Sequence, residues 1–94
     1  MTTLEVLTLY EDAAEKTRDR RFAYSIDELE VQTLFVRLAE CIRVARSNKD
    51  VIPTSLLRRV EAARQYAFGS VLSIDGANGN ILKTDSRGTT LLRG

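Results

Sequence analysis

The sequence predicts a mainly α fold, a three-helix body followed by a C-terminal β-hairpin or short β-meander, α+β in a single small domain. Three observations carry this. All five glycines lie in the last 26 of 94 residues, and the first 68 have none. Glycine weakens helix interiors and supplies the positive φ of tight turns, so a body over 1–69 is separated from a Gly-punctuated hairpin or flexible tail over 70–94. Within the body, apolar residues recur at spacings of three and four between recognisable cap signals. Within the tail, pairs of aliphatic residues alternate with turn residues.

The first helix is expected to begin at a capping box formed by Thr2 and Glu5. Val6, Leu7, Tyr10, Ala13, Ala14 and Thr17 make its apolar stripe, with Leu4, Leu9 and Phe22 on the flanks. Half of that stripe is alanine and threonine, so it lets another helix come close while burying little area. Asp12 with Lys16 and Glu15 with Arg18 stand at spacings that place opposite charges side by side. Ser25 and Glu28 make a second capping box, with Tyr24 and Leu29 at the positions of a hydrophobic staple. The second helix is therefore expected from Ile26 to about Ser47. Its stripe is Val31, Leu34, Phe35, Leu38, Cys41, Ile42 and Ala45. Asn48 is placed to take a left-handed cap. Ile52 precedes Pro53 and is extended, and Thr54 is the expected N-cap of helix three. That helix is read with Leu56, Val60, Ala63 and Ala67 inward and an end near Gly69.

From Val71 the tail follows a ten-residue step, VLSIDGANGN, ILKTDSRGTT, LLRG. Each line opens on two aliphatics, and Asp75 and Asp85 occupy the same place in the first two. Asn78-Gly79 signals a two-residue hairpin turn and Ser86-Arg87-Gly88 a second turn. Three short strands with apolar residues on both faces are marginal alone. The tail is thus expected to order against the helices, a neighbouring subunit or another protein.

Composition narrows the function. The chain has 14 Lys and Arg against 13 Asp and Glu, one cysteine and no histidine. An internal disulfide is impossible, and histidine-based acid–base catalysis is excluded. Cys41 falls in the middle of the helix-two stripe and reads as a small buried hydrophobe. No metal site, cofactor or catalytic residue is expected, and the chain is read as a non-enzyme. Asp75-Gly76-Ala77-Asn78-Gly79-Asn80 lacks the alternating acids of an EF-hand and the Gly-Lys-Ser/Thr of a phosphate loop. The longest apolar runs are too short for a membrane span and no basic leader precedes them, so cytoplasm is the expected compartment.

What remains is surface contact. Leu29, Val36 and Val44 lie off the main stripe of helix two and suggest a second contact face. Arg64, placed among apolar positions of the helix-three wheel, either pairs with Glu61 or is desolvated at an interface. With Leu72, Ile81, Leu82, Leu91 and Leu92 of the tail, these residues form the candidate protein interface. The expected function is a non-catalytic assembly, adaptor or inhibitor subunit that binds itself or another protein. The alternative is a small nucleic-acid-binding regulator using Arg18, Arg20, Arg21, Arg58 and Arg59, though a near-zero net charge gives that reading no bulk support.

Overall fold

The computed structural model describes residues 2–18, 28–67 and 69–93. Three helices, α1 (Thr3–Arg18), α2 (Glu28–Ser47) and α3 (Thr54–Ala62), precede four strands. The strands are β1 (Gln65–Ala67), β2 (Ser70–Asp75), β3 (Asn80–Asp85) and β4 (Gly88–Arg93). They form one antiparallel sheet in chain order, β1-β2-β3-β4. This corrects the expected mainly α fold with a C-terminal hairpin or short meander: the three helices are joined by a four-stranded antiparallel sheet in an α+β fold, one strand more than the meander.

The α1 capping box forms as its spacing requires. The Glu5 N–H donates to Thr2 Oγ1 and the Thr2 N–H to Glu5 Oε2, each at 3.2 Å. The stripe of α1 is rotated from the expected one, with Leu7, Glu11 and Ala14 fully buried and Leu4 and Tyr10 packed at its margin. The second capping box, Ser25 with the backbone that precedes Glu28, lies outside the described residues. Along α2, Val31, Phe35, Leu38, Ala39, Ile42 and Ala45 are buried. This apolar arc is wide enough to serve α1 on one side and the sheet on the other. The helix ends in a Schellman motif. The Asp50 N–H reaches back to the Ala45 carbonyl and the Lys49 N–H to that of Arg46. The left-handed residue is Lys49, at φ 59°, one position later than the asparagine expected there. At α3, Pro53 occupies the N-cap and Thr54 is already helical, with no side-chain cap bond.

The largest departure from expectation is the end of α3. The helix stops at Ala62, and Ala63 to Ala67 run extended with alternating burial. A helical reading takes Val60, Ala63 and Ala67 as one face, whereas the structure buries Ala63, Gln65 and Ala67. Both periods share two alanines, so pattern alone cannot separate them. Tertiary contacts decide: Gln65 Nε2 donates to the Ala14 carbonyl at 3.0 Å, and β1 pairs with β2 from Gln65↔Leu72 to Ala67↔Ser70. Gly69, at φ 73°, turns this hairpin instead of capping a helix.

Strand pairing then assigns the faces. Ser70, Leu72, Ile74 and Ile81 point into the core against α2 and α3. Tyr66, Val71, Ser73, Leu82, Thr84, Thr89 and Leu91 share the opposite face by register. The β2–β3 loop closes with Asp75↔Asn80 and contains four residues, not two. It is pinned to the helices. Arg43 Nε donates to the Gly79 carbonyl at 3.0 Å and Arg46 Nη2 to that of Gly76 at 3.1 Å. Gly79 has φ 70°, and a Cβ there would lie 2.9 Å from the Ala39 carbonyl oxygen. The aspartates of the ten-residue step act alike. Asp75 accepts from the Ala77 N–H and from Asn78 Nδ2, while Asp85 accepts from the Arg87 N–H. The bonds from Asn78 and Ala77 hold the Asp75 carboxyl below the usual carboxylate range.

Two glycine substitutions separate backbone strain from close approach. Gly69 and Gly79 have similar φ, but nothing lies within 4 Å of a Cβ at Gly69. Gly69→Ala is expected to cost about 1 kcal/mol and Gly79→Ala about 2–4 kcal/mol, since the second adds overpacking to left-handed strain. Urea unfolding of the two variants checks the order.

Candidate protein-interaction surface

The candidate interface residues do not form one patch. Leu72 and Ile81 are core, 1% and 0% exposed, and face the helices. They cannot touch a partner, because an apolar pair on a strand sends one residue to each face. Their neighbours in the same pairs, Val71 and Leu82, take the outer face. On α2, Leu29 is exposed and Val36 half-buried, lining a shallow groove with Gln32, Thr33, Arg37 and Glu40. Val44, also exposed, lines a different groove with Val6, Tyr10 and Cys41 between α1 and α2. Arg37 stands between the two. It donates to the Tyr10 hydroxyl at 3.1 Å, with its guanidinium carbon 5.8 Å from the ring centroid. Burial pushes the Cys41 thiol up, and Glu40 adds to this. A half-buried protonated thiol is a poor nucleophile.

The outer sheet face and β4 form the second surface. Arg64 follows the end of α3, exposed, and lines a groove with Val71, Ser73, Leu82, Thr84 and Thr89. It is therefore beside the sheet, not on a helix wheel. Leu82 sits opposite Ser73 on one side and Leu91 on the other. Thr84 and Thr89, also opposite, share a hydroxyl hydrogen bond of 3.1 Å. Among the described residues the only extensive contact of β4 is with β3. Gly88 to Leu92 are exposed throughout, and Leu91 is 55% exposed. Leu92 turns to the inner side, where it lines an opening with Gln32, Ala67, Leu72 and Lys83. A register shift between Ile81 and Leu82 on β3 lets Leu91 and Arg93 pair while Leu92 is the extra residue.

Of the arginines of the nucleic-acid alternative, the side chains of Arg58 and Arg59 are described. Arg20 and Arg21 lie outside the described residues, as does the side chain of Arg18, and Arg58 is exposed on α3. Arg59 faces α1 instead of solvent phosphate. Its Nη2 lies 2.7 Å from Glu11 Oε2 and donates to Asp12 Oδ1 and, at 3.1 Å, to Glu15 Oε2. Asp12 and Glu15 thus turn to α3, where the sequence reading paired them along their own helix. The same three carboxylates could together hold a metal ion, but the guanidinium already occupies their centre. The pairing was missed because Glu11 looks like a surface residue by type. By position it is one turn after Leu7 and one before Ala14, on the stripe that faces inward.

Glu11 is 1% exposed, and desolvation pushes its pKa from 4.5 to about 7, against the pull of Arg59 and with help from Glu15 and Asp12. Among the described residues no helix is long and apolar enough to cross a membrane. No protein-family model, curated protein or solved structure matches the chain.

The Glu11 shift has a pH consequence. The folded chain holds this proton more tightly than the unfolded chain, so the associated stability is complete below about pH 4.5 and is lost as pH rises through about 7. Glu11→Gln removes the titration while Asp12 and Glu15 keep Arg59 in place. The stability of Glu11→Gln relative to wild type is expected to rise between pH 5 and pH 8, roughly the span bracketed by the two pKa values. Denaturant midpoints at both ends check it; a constant difference would refute it.

Proposed function

We propose that this chain is a small non-catalytic interaction protein, an assembly, adaptor or inhibitor subunit, that acts by surface contact and associates with itself through its C-terminal sheet. The observation that carries this reading is strand β4. Among the described residues it is paired on one edge alone; it is exposed from Gly88 to Leu92, and bears no charged residue or proline in that span. Natural sheets usually blunt such an edge with Lys, Pro or a covering element. An edge left uncharged, beside exposed Leu91 and half-buried Leu82, is suited to another strand. The helical groove at Val44 lies between α1 and α2, on elements other than the sheet, and serves as an internal comparison.

Light scattering during size-exclusion chromatography, with absorbance at 260 and 280 nm, tests the proposal. The expected result is a nucleic-acid-free mass that is a multiple of the 10.6 kDa chain. Leu91→Lys is expected to lower that mass toward one chain with helix content intact, whereas Val44→Glu leaves it unchanged. A single-chain mass for wild type at every concentration overturns self-association, and a loss confined to Val44→Glu moves the contact to the helices.

A further inference from the structure

We infer that two copies of this chain join through antiparallel pairing of β4 with β4, in one register with its two-fold axis at Thr90. The inference rests on the self-association proposed above and specifies its geometry. It follows from three constraints on the strand.

The first is hydrogen-bonding direction. In an antiparallel ladder, hydrogen-bonded and non-hydrogen-bonded pairs alternate. Asp85↔Gly88 closes the two-residue turn at Ser86-Arg87 and is the hydrogen-bonded pair next to it. Gly88 and Thr90 therefore direct their N–H and C=O groups at β3. Thr89 and Leu91 direct theirs away, at the open edge. Those groups are the ones a second strand would meet.

The second is face parity. Directly opposed residues on adjacent antiparallel strands share a face. Thr89 and Leu91 belong to the outer face with Thr84 and Leu82, and Thr90 to the inner face with Lys83. A symmetric pairing must oppose outer to outer and hydrogen-bonding to hydrogen-bonding. Thr89 opposite the second copy's Leu91, twice, satisfies both conditions, and Thr90 then falls opposite itself in a non-hydrogen-bonded pair. The register centred on Leu91 fails, because the irregularity between Ile81 and Leu82 breaks the alternation beyond Leu91 and sets the backbone of Arg93 opposite Ile81, out of step with the position an outer partner for Thr89 requires. The register centred on Thr89 runs into the turn. The chosen register makes about four main-chain hydrogen bonds, two from each Thr89–Leu91 pair.

The third is charge. From Gly88 to Leu92 nothing repels a copy of the same strand. Arg87 and Arg93 come into register only at the two ends, so screening favours the pairing and added salt strengthens it. On the outer face Leu82 and Leu91 of each copy then continue into Thr89 and Thr84 of the other, and the two Leu91 side chains meet diagonally across the junction. Five residues per strand bury less than a standard interface, so the dimer dissociates on dilution.

Site-directed cross-linking tests the register, in a Cys41→Ala background so that the introduced thiol is the only one. At Thr90→Cys the two Cα atoms are about 4.5 Å apart, within disulfide reach. At Thr89→Cys or Leu91→Cys the two like positions are offset along the strands to roughly 8 Å, beyond it. Mild oxidation is expected to give a covalent dimer at Thr90→Cys in high yield, more so at higher salt, and little at the flanking positions. Equal cross-linking at all three, or preference for a flanking position, overturns the register. A wild type that is a multimer by light scattering without cross-linking at Thr90→Cys overturns β4 pairing while leaving self-association standing. A wild type that stays a single chain over roughly a hundredfold range of concentration removes both.

Discussion

The structure depends on one helix having two sides to cover. The buried arc of α2, from Val31 through Phe35, Leu38 and Ala39 to Ala45, receives α1 on one flank and the sheet on the other. Neither α1 nor the sheet has enough apolar surface to close a core alone. The α1 stripe ends in alanine, and the sheet offers large apolar residues on its inner face mainly from Leu72, Ile74 and Ile81. Burial by α2 supplies the driving force, which scales with apolar area removed from water. The direction in which the sheet grows follows from this. Strands β1 to β3 lie within reach of the helices, whereas β4 adds hydrogen bonds to β3 without gaining comparable cover.

Polar contacts set how the layers sit on that helix. Arg43 and Arg46 of α2 hold two carbonyls of the β2–β3 loop, and Gln65 of β1 holds a carbonyl of α1. Each joins a side chain on one layer to main chain on another, and main-chain groups left unpaired in such places would be costly. Arg59 ties α3 to α1 through three carboxylates, of which Glu11 is buried deeply enough to resist ionisation. That cluster is a poor stabiliser at neutral pH, since one guanidinium meets three acids. Its role is better described as orientation of α3, with some stability sacrificed as Glu11 ionises.

The helices were legible in the sequence because their signals are local. Thr2 and Glu5, the α2 stripe and Pro53 each act within a few residues. The repeat in the tail was legible too, and the structure gives it a physical meaning in the matching turn bonds of Asp75 and Asp85. Strand β1 was not legible. Ala, Arg and Gln favour helix, and only the distant pairing with β2 and the Ala14 carbonyl makes 65–67 extended. The same distance hid the site. Leu72 and Ile81 were read as surface because each heads an apolar pair or ends one, and only the register tells which partner faces α2. Arg59 was read as a free cation because its acids are more than forty residues earlier.

Burial grades across the sheet, and this gradient is the main link between fold and function. In β2 every second residue is buried; in β3 one residue is; in β4 none from Gly88 to Leu92 is. Local stability follows burial and protected hydrogen bonding, so β4 sits at the weak end of the structure. A strand in that position gains more from a second neighbour than any other part of the sheet. By the ladder alternation its N–H and C=O groups at Thr89 and Leu91 point away from β3, where no strand pairs with them among the described residues, and a pairing strand would take them into ladder bonds while covering Leu91. The same chemistry exposes it to indiscriminate pairing, since an uncharged edge of Thr and Leu templates other strands. Here the irregularity at Leu92 and the glycine at Gly88, with φ 116°, limit the straight segment to a few residues. A short edge bounded in this way suits a closed two-fold pairing better than an open stack, because the strand is used up by one partner.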